Sequence, residues 1–127
     1  PASAVDAIQT FSIEATLARP DFATTTSGAR YYFGNQPHPG VVRRIDTNVT
    51  TRQTTTRFHR TTEDACQWAL MSGLIRLRDA AARHGGNGVI NIRSEGNGPM
   101  SSRTEFQCTV GRGMVRVSLT ADTVAFR

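Results

Sequence analysis

TTEDACQWALMSGLIRLRDAAARHGGNGVINIR, residues 61–93, encodes a helix, its stop and the strand that follows. Thr61 or Thr62 is placed to cap the helix, and Glu63 and Asp64 put negative charge on its first turn, where the helix dipole favours it. Cys66, Leu70, Leu74, Leu77 and Ala81 recur at helical spacing and form one continuous face, which Trp68, Met71 and Ile75 widen. Trp68 is expected in the core. Gly73 costs helix propensity and marks a close approach of another backbone. Arg76, Asp79 and Arg83 fall toward water. His84 and Gly85-Gly86 end the helix, a glycine taking the left-handed cap conformation. Val89, Ile90 and Ile92 then read as a buried strand.

Downstream, GNGPMSS (96–102) reads as a hairpin loop and TEFQCTV (104–110) as a half-buried strand with Phe106, Cys108 and Val110 on one face. Gly111 and Gly113 predict a bulge or tight bend, MVRVSLTA (114–121) alternates again, and DTVAFR closes the chain. Upstream, residues 41–58 are rich in Thr, Val and Ile with arginines interleaved, which favours extended structure with a polar outer face. QPHPG (36–40) is an exposed turn and ARYYF (29–33) a short strand. Within residues 1–28, the alternation of Phe11, Ile13, Ala15 and Leu17 suits a strand, whereas Ser12 can cap a short helix, SIEATLAR, that ends before Arg19-Pro20. We favour the helix. The expected class is α+β: a small, mostly antiparallel sheet packed against one long amphipathic helix, with a short N-terminal helix. Residues 1–28 form an N-terminal arm, and residues 29–127 a single α+β domain.

The two cysteines lack the spacing of a zinc site, and a Cys66–Cys108 disulfide tying the helix to a strand accounts for both. A helix N-terminus lowers a thiol pKa, so Cys66 has a nucleophile's position, but oxidation with Cys108 is the simpler reading. Disulfides persist in oxidising compartments, so a periplasmic or secreted location follows. The chain opens Pro1-Ala2-Ser3 without Met or an apolar leader, which reads as a mature or trimmed form with its signal peptide removed. No run approaches the ~20 apolar residues of a transmembrane helix.

All 15 basic residues are arginine, for a net charge of +5. The absence of lysine excludes a Walker A loop and Schiff-base chemistry. The arginines are scattered, Arg43-Arg44 being the only adjacent pair, so no nucleic-acid partner is expected. GGNG (85–88) follows a helix rather than preceding one and is read as a helix stop, not a phosphate loop. His38, His59 and His84 lack ligand spacing and are expected as independent surface residues, with no metal and no cofactor. Arg93 is expected to pair with a carboxylate such as Glu105. No G-x-S-x-G elbow surrounds Ser72 or another hydroxyl, and no acid/base pair assembles, so no enzymatic activity is expected. Asn48-Val49-Thr50 matches a glycosylation sequon and is read only as surface. Tyr31, Tyr32 and Phe33 are the interface candidates, since a short strand cannot turn three successive rings inward.

Gly86-Asn87-Gly88-Val89-Ile90-Asn91-Ile92-Arg93, after the helix, resembles the G-(A/G)-N-(A/G)-V-V-x-(V/I)-R signature of the small YbjQ-like domains, often labelled heavy-metal-binding. Val110-Gly111-Arg112-Gly113-Met114-Val115 resembles that family's C-terminal glycine-containing strand. The shape is also similar to the disulfide-bonded outer-membrane sensor lipoproteins of the Rcs stress pathway. YYFGNQPHPGVV, ACQWALMSGL and SSRTEFQC resemble a group of small secreted bacterial proteins over about residues 29–126. Members of that group are often labelled excinuclease ATPase subunits, yet this chain has no Walker A, Walker B or zinc-finger pattern. The resemblance implies no catalytic residue. Similar folds form closed rings, which implies self-association.

The function expected is that of a non-enzymatic, disulfide-stapled cell-envelope module. It works through contacts with itself, as a homo-oligomer, or with another envelope protein. The alternative is a periplasmic protein that binds a small ligand or divalent metal, as the heavy-metal label of the resembling family implies.

Overall fold

Met114–Phe126 (β7) is the strand around which the sheet is built. In the computed structural model, which describes residues 7–96 and 98–127, β7 pairs with three other strands. Val41–Thr56 (β3) follows one edge over nearly its whole length. The other edge is shared: Glu105–Val110 (β6) meets its first residues and Gly88–Gly96 (β4) the rest. Ala7–Ser12 (β1) extends the sheet beyond β6, while Arg30–Phe33 (β2) and Gly98–Met100 (β5) pair with β4. Among the described residues, seven strands form one sheet, and only the β2–β4 pairing is parallel. The α+β class and the mostly antiparallel sheet agree with the sequence.

Ser12 reconciles the two readings of the N-terminal region. It ends β1 and caps Ile13–Leu17 (α1), its hydroxyl accepting from the Ala15 N–H at 3.1 Å. Phe22–Thr25 (α2) adds one turn that the sequence did not announce. From Ala7 onward this segment belongs to the sheet and the core, with Ile13, Thr16 and Thr26 buried. Residues 1–6 of the expected arm lie outside the described residues.

Thr62–Ala82 (α3) is capped by Thr61, whose hydroxyl accepts from the Asp64 N–H at 3.0 Å. Its stop is a Schellman motif: Gly86 N–H donates to the Ala81 carbonyl, Gly85 N–H to that of Ala82, and Gly85 takes φ +79°. Cys66, Leu70, Leu74 and Leu77 share one apolar core with Val89 and Ile92 of β4, Phe106 of β6, and Val115, Val117 and Leu119 of β7. The helix is nevertheless only weakly amphipathic, because much of its buried arc is Ala65, Ala69, Gly73 and Ala81, joined by Gln67. Gly73 does mark a close approach, but to a side chain rather than a backbone: a β-carbon there would stand 2.8 Å from Leu119 Cδ1.

Two asparagines shape the strands beside β7. Asn91 (φ +54°) and Asn48 (φ +55°) take the left-handed region where the β4 and β3 registers shift. Such bulges insert one extra residue. In β4 the shift puts Val89 and Ile92, three apart, into the main core, while Ile90 joins Val124 and Phe126 in a small second cluster. A plain alternating strand could not divide VINI in this way.

Candidate interaction surface

A disulfide joins Cys66 in α3 to Cys108 in β6, with Cα atoms 6.0 Å apart and both residues fully buried. It is a staple inside the core, and neither sulfur is presented to a substrate. The alternation in 104–110 holds, with Phe106, Cys108 and Val110 all buried.

The aromatic run separates by strand geometry. Phe33 is buried in the main core. Tyr31 is half-buried: its ring meets Phe22 edge-on, its hydroxyl donates to the Thr26 carbonyl at 2.7 Å, and burial pushes its pKa up to about 12. Tyr32 points the other way, among Phe126 and His38, each with ring centroids 5.7 Å from its own. Of the three, Tyr32 lies in the smaller outer cluster.

Trp68 does not enter the core as expected. It is half-buried, with the guanidinium of Arg19 5.3 Å from its ring centroid and that of Arg60 5.6 Å away. Asp64 holds both arginines, accepting from Arg19 at 2.8 Å and from Arg60 at 3.0 Å, and Arg19 also reaches Asp21 and Gln67. The segment after α1 is thereby clamped over the first turns of α3. Burial pushes the Asp64 pKa up, but hydrogen bonds and charge from Arg19 and Arg60 outweigh it and leave the carboxyl below its ordinary value. A depressed folded-state pKa contributes stability above the unfolded value, and this is lost as pH falls through the folded one. The melting temperature of the wild type is therefore expected to hold from neutrality to about pH 4 and then fall with acid. In Asp64→Asn the acid limb should be shallower and the neutral-pH melting temperature lower. Differential scanning calorimetry across pH reads this, and identical limbs would remove Asp64 from the account.

Arg93 does not pair with Glu105. Its guanidinium donates to the Asn91 carbonyl at 3.0 Å and to Asn48 Oδ1 at 2.8 Å, tying together the two bulges on either side of β7. The histidines are dispersed. His38 packs against Tyr32, the His59 ring meets that of Phe58 at a tilt of 53° with centroids 4.0 Å apart, and His84 offers its carbonyl to Arg43 at 2.6 Å. Among the described residues, no three His, Cys, Asp or Glu side chains stand together as a metal-holding group. Asn97, in the expected 96–102 hairpin, lies outside the described residues. Gly96 and Gly98 flank it, and β5 follows where loop was expected. No helix of the described residues is long and apolar enough to cross a membrane.

What stands open is the far edge of β3. Among the described residues its ladder partner is β7 alone. The first half of the strand is broken by register shifts between Val41 and Val49, but Val49 to Thr56 runs in unbroken register against Ala121 to Met114. Arg52 is the one charged residue in that span. Between this edge and α3 lies a groove of roughly 290 Å³, walled by Val49, Thr51 and Gln53 on one side and Arg76, Asp79 and Arg83 on the other. The sequence shows the extended, threonine-rich strand but not its edge position, because the pairing partner that fixes it lies some 70 residues onward. Compared with known proteins, the chain matches no protein-family model, no curated protein and no solved structure.

Proposed function

We propose that this chain is a non-enzymatic, disulfide-stapled interaction module of the periplasm or the secreted space, and that it self-associates through the open edge of β3. The supporting observation is the regular Val49–Thr56 edge, which among the described residues is paired on one side only. An exposed, regular strand edge is a template for a further strand, and proteins usually blunt it with charge, proline or bulges. Here the bulges and Arg43-Arg44 protect the first half of β3, leaving the second half flat and almost uncharged. A second copy fits it by an isologous contact. A two-fold axis through Gln53 sets Arg52 opposite Thr54 and Thr50 opposite Thr56, so the two arginines do not face each other. The buried disulfide supports the oxidising location.

Light scattering of the purified chain is expected to give a dimer or a larger closed assembly. Hydrogen exchange in the peptide covering residues 49–56 should slow as protein concentration rises. A monomer at the highest soluble concentration would sink self-association. An oligomer without concentration-dependent protection of 49–56 would move the contact to another surface.

A further inference from the structure

The connection from β3 to α3 presents its apolar side chain outward. Residues 57–60 read Arg-Phe-His-Arg. The Arg60 N–H donates to the Arg57 carbonyl at 3.0 Å and closes a four-residue turn, with Phe58 and His59 at its corners. His59 has φ +61°, a conformation that glycine adopts at less cost. Phe58 is 74% exposed, the most of any large apolar side chain among the described residues. Beyond a tilted contact with the ring of its neighbour His59, this core-seeking side chain is left to solvent.

The neighbouring turn supplies a second such side chain. Arg57 N–H donates to the Gly113 carbonyl at 2.9 Å, and its guanidinium donates to the Gly111 carbonyl at 2.6 Å and to Thr62 Oγ1 at 2.9 Å. The β3–α3 and β6–β7 turns are thus fastened together. Met114, opposite Thr56 in the ladder, is 51% exposed. Two of the four exposed large apolar side chains among the described residues therefore stand at one end of the β3–β7 ladder. Basic groups surround them: Arg57 and Arg60 flank Phe58 in sequence, and Arg112 and Arg116 flank Met114. Of the nearby carboxylates, Asp64 is engaged by Arg19 and Arg60, and Glu63 is exposed.

We infer that this end of the molecule docks on an anionic lipid surface, with Phe58 and Met114 entering the headgroup layer and Arg112 and Arg116 meeting lipid phosphates. Peripheral membrane binding draws on this combination of apolar insertion and attraction to anionic lipid. The choice of lipid over nucleic acid rests on the apolar pair. A thioether and a lone ring on two turn corners suit insertion, whereas base recognition needs aromatic platforms for stacking. The inference is independent of how the β3 edge is used.

The test is co-sedimentation of the full chain with vesicles of phosphatidylcholine alone and of phosphatidylcholine mixed with phosphatidylglycerol. Binding is expected to the mixed vesicles and to weaken with added salt, since exposed charges are screened. Phe58→Ser and Met114→Ser should each lower the partition coefficient about tenfold, and Arg112→Ala about fivefold. Val42→Ser should leave it unchanged, because Val42 is 61% exposed but sits at the opposite end of β3. All four substitutions are at exposed positions, so melting temperatures should stay at the wild-type value, which separates docking from folding. No binding to mixed vesicles, or equal binding to pure phosphatidylcholine, overturns the inference. Equal losses for Val42→Ser and Phe58→Ser overturn it too. So does an arginine dependence with no effect of Phe58→Ser or Met114→Ser, which would be the generic attraction of a basic protein. Tight oligonucleotide binding that depends on Phe58 would replace lipid with nucleic acid.

Discussion

Loss of the Cys66–Cys108 bond, by the Cys66→Ala/Cys108→Ala pair, is expected to lower the unfolding free energy by about 4 kcal/mol and the melting temperature by on the order of 10–20 °C. The sequence separation of 42 residues sets the size, because the bond denies the unfolded chain the freedom of that loop. The closed loop contains nearly all of α3, all of β4 and β5, and the start of β6. Without the staple, four elements must be gathered by packing alone. Both sulfurs are fully buried, so reductant should act on the native protein slowly and at a rate that follows its opening. Calorimetry of the alanine pair measures the stability term, and a melting shift of only a degree or two would refute it. Mass spectrometry of unreduced material from the native compartment tests the location. Two free thiols there would undo both the staple and the periplasmic or secreted assignment.

Phe106→Ala is expected to cost about 3–5 kcal/mol, comparable to losing the disulfide. Phe106 is 1% exposed and heads the fully buried side chains by volume. It also faces Phe11 directly across the β1–β6 ladder, with ring centroids 6.1 Å apart. Among the described residues the ladder partner of β1 is β6 alone. Removing the ring should therefore release β1 first: amide exchange over residues 7–12 should quicken more than over β7. Denaturant unfolding gives the magnitude and hydrogen exchange the location. A uniform rise in exchange, with no excess in β1, would mean that Phe106 stabilises the core as a whole and does not hold that edge.

Legibility in the sequence followed how local the determining interaction is. The α3 cap, its leucine ladder and the glycine stop each depend on residues within a few positions, and all stand where the pattern put them. The alternation in 104–110 named the buried face that brings Cys108 to Cys66. The strand at Ala7–Ser12 was hidden because Ser12 serves two elements and the helical signal begins on top of the strand's end. Arg93 went astray for a different reason. Its partners are a carbonyl and a carboxamide exposed by two bulges, and charge pairing gives no hint of either. Trp68 looked like core because aromatic area is costly to leave wet. Two guanidiniums lie over its ring, a solution that needs Arg19 from outside the helix. The candidate surfaces were least legible. Nothing near Val49–Thr56 says that one edge stays unpaired, and an exposed Phe58 reads like any other phenylalanine until its turn is seen.

The strand on which the sheet depends also comes after every strand it pairs with. As the chain lengthens from its N-terminus, β3, β4 and β6 are all complete before β7 exists, and β3 and β4 lack their principal neighbour until Met114–Phe126 emerges, whereas β6 already has β1. Assembly is therefore held back to a late, long-range step, of the kind that makes folding slow. In the proposed periplasmic or secreted location such timing would be useful. A sheet that cannot close early stays threadable, and the Cys66–Cys108 bond, spanning 42 positions, must wait at least until β6 has been made.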